Sequence, residues 1–401
     1  MDDLERRETW AARINPRVAE FRAGAMRMDH ELRQIFSVRD VHAAEAVILY
    51  GCRILESIAA DAMTAIDLAP SHNIFSNLVA LGSYNLFSKE IGYWAHALRR
   101  MGNAARHLQA ECSADDGELS LCFVEKWIDW YFRTYPLGLL LERLTTDSEP
   151  LNLCNEPELR SLVERFVERV SLRNCDGDLS WIRPFIARSS VVPALAAEIW
   201  LDCADTKEAR ARARELLNEA LERHPDDLRL RQLMGLAWSR DHEYAKALSW
   251  LEPLVKRYRD DDETSGICAG AYKRQWQNEH DSDALAKSNR MYLRAWKQSS
   301  KGNPYLGINA ASTTLFLGSE EESQTLAGEV RSLLDGRFER LARRRKLTIE
   351  PGYWDRVTLA EALLIERKFA ESATHYRDAF KRYGKEKGSI ESTSEQMRAI
   401  L

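Results

Sequence analysis

The sequence lacks long apolar runs and an apolar leader at its N-terminus. Its longest apolar stretches, such as Ala46–Tyr50 and Leu137–Leu141, fall far short of the roughly 20 residues that a helix needs to cross a bilayer. The segment Met1–Arg7 has neither the basic start nor the apolar stretch of a secretory signal. We therefore expect a cytoplasmic protein that makes no membrane contact.

Cysteine is scarce and scattered. The seven cysteines form no CxxC pair, and their odd number argues against a disulfide framework and against a structural zinc site. We expect reduced, mostly buried thiols, and neither a metal nor a cofactor. An excess of positive charge is also missing, because the net charge is −5. Any contact with nucleic acid therefore requires a local basic patch.

Glycine and proline are few as well, with 19 and 11 among 401 residues. A composition of 45% hydrophobic and 30% charged residues, rich in Ala, Leu, Glu and Arg, is typical of a helical globular protein. At one domain per roughly 100–200 residues, the length predicts two or three domains. We therefore predict an all-α fold with more than one domain.

A period of about 34 residues marks the C-terminal half. Units that start at Ala194 and Leu228 place apolar and small residues at the same positions of two successive helices. In the second unit, Gly235 and Ala247 are small enough to let the helices approach closely, while Trp238 fills the space between pairs. This pattern predicts a tetratricopeptide-type superhelix over 194–386.

Three further units complete a predicted superhelix of about five helix pairs. The third begins near Asp262 and carries extra polar residues at Gln277–Asp283, the fourth runs irregularly from Pro304 to about Leu334, and the fifth regains the frame at Leu359. We interpret most aromatic and small residues of the units as packing residues. Recognition is expected on the concave surface, near the insertion and the irregular fourth unit.

Three motifs follow one another in this half: Gly266–Lys273, Asn303–Ala311 and Gly352–Trp354. Over about 260–383 they resemble the tetratricopeptide-like region of apoptosis signal-regulating kinases, often called the TRAF-binding region, although the sequence has no kinase motif. The resemblance implies a regulatory surface that binds a protein partner or effector. Bacterial relatives of that region imply immune or stress signalling and a nucleotide signal. Candidate ligand-binding residues in the second motif are Asn303, Tyr305 and Asn309.

A basic cluster precedes Pro351 and adds further candidate ligand-binding residues. Its members are Arg337, Arg340, Arg343, Arg344, Arg345 and Lys346. Such a cluster can bind the phosphates of a nucleotide or of RNA. The cluster is also typical of a solvated helix end, where cations interact favourably with the helix dipole, and this interpretation is the favoured one. Both interpretations stay open.

Two long helical patterns occupy the N-terminal part, over 42–67 and from Ser88 to about residue 111. In the first, Arg53 and Glu56 are spaced to pair on one face. The second has an apolar face and, opposite it, a stripe of four polar side chains at steps of four, three and four. These four candidate catalytic residues are His96, Arg100, Asn103 and His107. An imidazole as general acid or base beside a fixed guanidinium charge suits phosphodiester cleavage, which requires no metal.

The segments Tyr50–Glu56 and Leu98–His107 resemble HEPN-like helical domains of bacterial proteins. The resemblance implies a helical bundle that forms a homodimer or higher oligomer and, in active members, cuts RNA without metal through an Arg-x4-6-His motif. Arg100 and His107 have that spacing, whereas Met101 departs from the polar residue that active enzymes place there. Arg99 fits the Arg-x-x-Gly-Asn pattern of a subgroup. Three interpretations of the stripe stay open: a polar helix face or dimer contact, a ribonuclease site, and a ligand site.

These observations predict four regions: a HEPN-like bundle over 1–112, a helical connector over 113–193 that opens with a loop at Ser113–Gly117, the superhelix over 194–386, and a flexible tail over 387–401. Three functions follow from them. The first is a regulatory repeat protein of a bacterial immune or stress-signalling system, whose bundle acts as a dimerisation or effector module. The second is a ribonuclease effector that the repeats control. The third is a non-catalytic adaptor scaffold.

Overall fold

The computed structural model describes residues 30–39, 43–66, 68–84, 86–106, 112–133, 153–171, 180–203, 206–343, 351–383 and 387–401. Within these ranges every regular element is a helix, which confirms the predicted all-α class. None of the helices described there is long and apolar enough to span a bilayer. The chain forms two compact units, one of residues 1–82 and 86–195 and the other of residues 83–85 and 196–401.

The first unit contains packed helices of very different lengths. In chain order they are α1 (Ala44–Ala65), α2 (Ile74–Ser83), α3 (Lys89–Arg106), α4 (Ala114–Arg133), α5 (Pro157–Ser171) and the single turn α6 (Arg183–Ile186). Helices α1, α3 and α4 pack against one another, and α5 packs on α3 and α4. The two long helices expected in the N-terminal part are present as α1 and α3.

Aromatic side chains build the core of the first unit. The ring of Trp94 on α3 stacks on Phe123 of α4, with 5.2 Å between ring centroids, and meets Phe166 of α5 edge-on at 6.1 Å. Gly51 lets α1 approach the same core, because a Cβ there would lie 2.9 Å from Val124 Cγ2. The core therefore joins four helices, α1, α3, α4 and α5.

The start of α4 corrects the prediction of a loop over Ser113–Gly117. The hydroxyl of Ser113 accepts a hydrogen bond from the Asp116 N–H at 3.1 Å, and the Asp116 carboxylate accepts one from the Ser113 N–H at 2.9 Å. This reciprocal pair satisfies two N–H groups that the first turn of a helix leaves without partners. The polar residues thus begin the helix rather than precede it.

The expected pairing of Arg53 with Glu56 on α1 is also corrected. Arg53 pairs with Glu31 at 2.7 Å, and Glu56 pairs with Arg106 of α3 at 2.8 Å. A pair within one exposed helix contributes only about 0.2–0.5 kcal/mol, so partners on neighbouring helices compete easily. Both charges of α1 therefore serve contacts between helices.

The second unit is the repeat region, and its helices follow as five successive pairs, as predicted. Each pair has a first and a second helix: α7 (Val191–Cys203) and α8 (Lys207–Arg223), α9 (Leu228–Arg240) and α10 (Tyr244–Arg257), α11 (Asp262–Glu279) and α12 (Ser282–Gln298), α13 (Pro304–Phe316) and α14 (Glu320–Arg343), α15 (Tyr353–Ile365) and α16 (Phe369–Tyr383). The polar insertion of the third unit lengthens α11 to Glu279, forms the turn at His280 and Asp281, and begins α12 at Ser282. The irregular fourth unit still forms a helix pair.

Small residues let the two helices of a pair approach closely, as the repeat pattern predicts. A Cβ on Gly235 of α9 would lie 2.5 Å from Leu251 Cγ of α10. In the fourth pair, one turn nearer the start of the first helix, a Cβ on Gly307 would lie 2.5 Å from Val330 Cγ2. Five helices of the unit also begin with a side chain that accepts a backbone N–H; the caps are Thr206, Asp227, Asp261, Asp281 and Asn303. Close contacts and caps together define each pair.

The segment after the fifth pair was expected to be a flexible tail, and the structure corrects this. It forms a final helix, α17 (Lys387–Ile400), which contacts α13 and α15. The apolar side chains of Ile390, Met397 and Ile400 pack against the clusters of the last pairs. Its many serines suggested a loose chain, but tertiary packing outweighs weak helix propensity.

Candidate functional site on the first helices of the repeats

The first helices of successive pairs exchange polar contacts along one surface, which we call the first-helix face. One side chain from each helix defines it: Glu198 on α7, Arg229 on α9, Lys273 on α11, Asn309 on α13 and Glu361 on α15. Arg229 donates to Glu198 at 2.7 Å and to Glu263 of α11 at 2.8 Å. This end of the face is therefore occupied by its own ion pairs.

Further along the face, Lys273 is almost buried, with 9% of its surface exposed. Its ammonium donates to the neutral Asn309 Oδ1 at 2.8 Å. Burial lowers the pKa of Lys273 to about 8, although the charge of Glu361 acts to raise it. Burial also raises the pKa of Glu361, against the effect of Lys273 and of a hydrogen bond from Gln396. A cation held in this way is poorly compensated and suited to receive an anionic group.

Beside Lys273 lie a second cation and an exposed aromatic ring. Arg274 donates to Ser239 Oγ at 3.3 Å, a contact that engages one of the five N–H donors of a guanidinium. Tyr305 on α13 is 53% exposed, and its hydroxyl lies 3.4 Å from that of Tyr292. Gly270 makes room for this arrangement, because a Cβ there would lie 3.4 Å from Tyr292 Oη and 3.5 Å from Arg274 Nη1.

Of the candidate residues in the second motif, Asn309 and Tyr305 belong to the first-helix face. Asn309 receives the Lys273 bond and donates through Nδ2 to the Tyr305 carbonyl at 2.9 Å. Asn303 is buried, and its side chain caps α13 by accepting from the Tyr305 N–H at 3.1 Å. Its contacts are those of a helix cap.

The basic cluster is only partly described. Arg340 is exposed on α14. Arg343 is the last residue of that helix, but its side chain is not among those that the structure describes, and Arg344 and Arg345 lie outside the described residues. Arg337 is buried and donates to the Gly302 carbonyl at 2.8 Å. Arg337 is therefore a structural residue rather than part of an exposed basic patch.

Sequence reasoning missed Lys273, Arg274 and Glu361 as candidate site residues. A signal was present in the first motif, since Gly266, Gly270 and Lys273 follow at steps of four and three and share one face of α11. Because glycine has no side chain, two glycines on the same helix face as a lysine indicate a surface that another group can approach closely. Glu361 carries no such signal, because only the fold brings it near Lys273.

In the first unit, the described residues of the predicted stripe of α3 do not lie in one common site. His96 packs its ring against Phe75 at 5.6 Å, Arg100 is half-buried, and His107 lies outside the described residues. Asn103 instead lines a small cavity that is too narrow to hold a water molecule. The other lining residues are Cys52, Leu55, Glu56, Ile74, Arg99 and Arg106. The basic stripe that reaches this cavity is thus Arg99, Asn103 and Arg106.

The remaining residues around this cavity have identifiable packing roles. A Cβ on Gly102 would lie 2.1 Å from Cys52 Sγ, so this glycine allows α3 to meet α1. Cys52 donates to the Leu98 carbonyl at 3.0 Å, and burial raises its pKa to about 12. A thiol with so high a pKa is a poor nucleophile. The guanidinium of Arg99 lies over the Phe75 ring, 5.0 Å from its centroid.

The paired helices and the polar face on their first helices define the second unit as a tetratricopeptide-like repeat region. Residues 209–316 match the model of one family, Tetratricopeptide Repeats-Sensor. The match runs from α8 to the end of α13 and includes Lys273, Tyr305 and Asn309. No curated protein matches the sequence.

Proposed function

We propose that this protein is the regulatory sensor of a bacterial immune or stress-signalling system, and that its first-helix face binds a nucleotide signal. The observation that carries the proposal is the convergence of Lys273, Arg274, Asn309 and Tyr305 on neighbouring first helices. The sensor family matched over 209–316 and the likeness to the regulatory region of stress kinases support it. The first unit then transmits the signal as a dimerisation or effector module.

The chemistry of the face suits a nucleotide. The two cations offer charge and N–H donors to phosphate oxygens, and the exposed Tyr305 ring offers a surface on which a base can stack. Asn309 can exchange its bond to Lys273 for one to the ligand. Trp354, 55% exposed at the start of α15, provides a second exposed ring on a first helix.

Calorimetric titration with a panel of mononucleotides, dinucleotides and cyclic nucleotides tests this proposal. We expect saturable binding by at least one of them, weakened at least about 30-fold by Lys273→Met, since a desolvated charged hydrogen bond contributes roughly 2–3 kcal/mol. Lys297→Met is the matched control, because Lys297 is an exposed lysine on the second helix α12. Absence of binding across the panel, or equal affinities for both variants, would contradict the nucleotide signal and favour a protein partner.

A second proposal concerns the first unit, where α3 carries Arg99, Arg100, Asn103 and Arg106 ahead of His107. We propose that α3 supplies a metal-independent ribonuclease site, in which a guanidinium stabilises the developing charge and His107 acts as general acid or base. Cleavage of a labelled RNA in chelator should be lost in His107→Ala, with circular dichroism showing an intact fold. Two further variants, Arg99→Met and Arg100→Met, compare the two arginines. Loss of cleavage in Arg100→Met alone would assign catalysis to the predicted stripe, and loss in Arg99→Met alone would assign it to the residues that line the cavity. Wild-type protein that leaves RNA intact would favour the non-catalytic adaptor.

A further inference from the structure

The final helix α17 lies against the first helices of two different pairs. It contacts α15, the first helix of the fifth pair, and also α13, the first helix of the fourth pair. Ile400 packs against the apolar cluster shared by the third to fifth pairs as well as against the cluster of the fifth pair. A helix that only capped the last pair would not need to reach α13. The end of the chain therefore covers part of the first-helix face.

Polar contacts join α17 to α15, the helix that carries Glu361 of the first-helix face. Gln396 donates to Glu361 Oε1 at 2.7 Å, and Tyr353 donates to Thr393 Oγ1 at 2.8 Å. Glu361 is the carboxylate whose charge acts on Lys273. A side chain of α17 thus binds a carboxylate of the first-helix face.

The helix itself is weakly specified by its own sequence. Its 14 residues include Gly388, Ser389, Ser392, Thr393 and Ser394, all of them poor helix formers. A helix of this length is marginal without tertiary contacts even in an alanine-rich sequence. Its order therefore depends on one stripe of residues that faces α13 and α15: Ile390, Thr393, Gln396, Met397 and Ile400.

We propose that α17 is an autoinhibitory segment: it occupies the first-helix face beside Lys273 and Glu361, and it must leave before the amphipathic helix of a partner protein can dock there. The vacated surface fits a helix with apolar residues at the spacing of Ile390, Met397 and Ile400 and an amide or hydroxyl donor toward Glu361. This inference rests on the proposed function, since it makes α17 the regulator of the same face. Ribose hydroxyl or base amino groups of a nucleotide bound near Glu361 favour the open state, because they can donate to the carboxylate that Gln396 otherwise holds.

Hydrogen exchange of the wild-type full chain is the first test, because it needs no variant and no ligand. We expect the amides of α17 to exchange at least about tenfold faster than those of α15, as a separately opening segment does. Exchange of both helices in a single cooperative step would overturn the proposal, since α17 would then be a permanent part of the repeat core.

A peptide of residues 387–401, labelled with a fluorophore, is the second test. In the full chain, docking of α17 is weakened by three combined substitutions, Ile390→Ser, Met397→Ser and Ile400→Ser, which define the docking-weakened variant. The control variant combines Glu395→Ser with Arg398→Ser and changes exposed positions of the same helix. We expect the peptide to bind the docking-weakened variant at least about tenfold more tightly than the wild type or the control, because the tethered α17 no longer competes. Equal, weak binding to all three proteins would overturn the proposal.

The two proposals fail in different ways. Peptide uptake by the docking-weakened variant supports the autoinhibitory role even when no nucleotide of the panel binds. A nucleotide that binds the wild type and the docking-weakened variant with equal affinity would support the proposed nucleotide-sensing function and overturn its regulation by α17.

Discussion

The two units of this protein are stabilised by contacts of different sequence separation. In the repeat unit, contacts recur at about one repeat length: Arg229 to Glu263 spans 34 residues, Arg331 to Glu366 spans 35 and Lys273 to Asn309 spans 36. In the first unit, Arg188 bonds to Asp115 across 73 residues and Arg39 to Glu118 across 79. The comparison teaches that a periodic contact can be anticipated from a periodic sequence, whereas a single long-range contact cannot.

Trp94→Ala and Trp238→Ala should show the largest difference between the units. Trp94 is fully buried in the aromatic core, so its removal should cost roughly 3–5 kcal/mol. Trp238 is half-buried and carries Arg214 and Lys246 over its ring, so its removal should cost about 1–2 kcal/mol. Urea unfolding followed by circular dichroism measures both. Equal costs would show that the repeat unit depends on this ring as strongly as the first unit depends on its core.

The next comparison between the two units uses one buried acidic residue from each, Glu125 and Asp262. Glu125 of the first unit pairs with Arg160 at 2.9 Å, and Glu125→Gln should cost roughly 2 kcal/mol, less than the about 3–5 kcal/mol of a fully buried broken pair, because Arg160 is 27% exposed. In the repeat unit, burial and then the charges of Asp261 and Asp260 raise the pKa of Asp262 from 3.8 to about 6. Asp262→Asn should therefore stabilise the protein by about 1 kcal/mol at pH 8 after allowance for solvent screening.

The sign of the Asp262 effect can be checked against pH. Because its folded pKa is raised, this carboxyl favours folding below pH 3.8 and that contribution is lost as the pH rises through about 6. The advantage of Asp262→Asn should hence appear between pH 4 and 6 in unfolding curves measured across that range. Asp283→Asn, at an exposed position in the first turn of α12, should lack this advantage. A constant difference between Asp262→Asn and wild type at all pH values would refute the assignment.

Glycine substitutions probe close packing inside the repeat unit. Gly307→Ala should destabilise by about 1–3 kcal/mol, because the new Cβ would lie 2.5 Å from Val330 Cγ2 and 3.1 Å from the Trp296 ring. Gly336→Ala on α14, where no described atom lies within 4 Å of the added Cβ, should stabilise by about 0.5–1 kcal/mol. Thermal unfolding of the two variants should shift in opposite directions. A stabilising Gly307→Ala would mean that the fourth pair is looser than described.

Helix caps give the smallest expected effects. Ser113→Ala removes bonds to Asp116 and to the Arg188 carbonyl, so it should cost about 1–2 kcal/mol. Thr206→Ala removes one bond to the Ala209 N–H and should cost about 1 kcal/mol or less. Chemical denaturation of both variants decides whether the cap of the first unit also acts as a contact between segments. Identical costs would assign Ser113 a local role only.

The candidate site was predicted from sequence only in part. The second motif led to Tyr305 and Asn309, which lie on the first-helix face, and to Asn303, whose cap role is a local property of an Asn-Pro turn. Lys273 was readable from the stripe of α11 but was not singled out. Glu361 and Gln396 could not be found, because they reach this face through packing of α15 and α17 and not through any local spacing.

The amino-acid sequence by itself determined the helical class and the pairing of the repeat helices, because small residues such as Gly235 and Gly307 act on neighbours in the same repeat unit. The same holds for the caps, whose bonds span two or three residues. Only the tertiary structure decided which partners Arg53 and Glu56 take, which stripe of α3 reaches the cavity, and that the chain ends as a docked helix. Those outcomes depend on groups distant in sequence, whose contacts outweigh the weaker preferences of single helices.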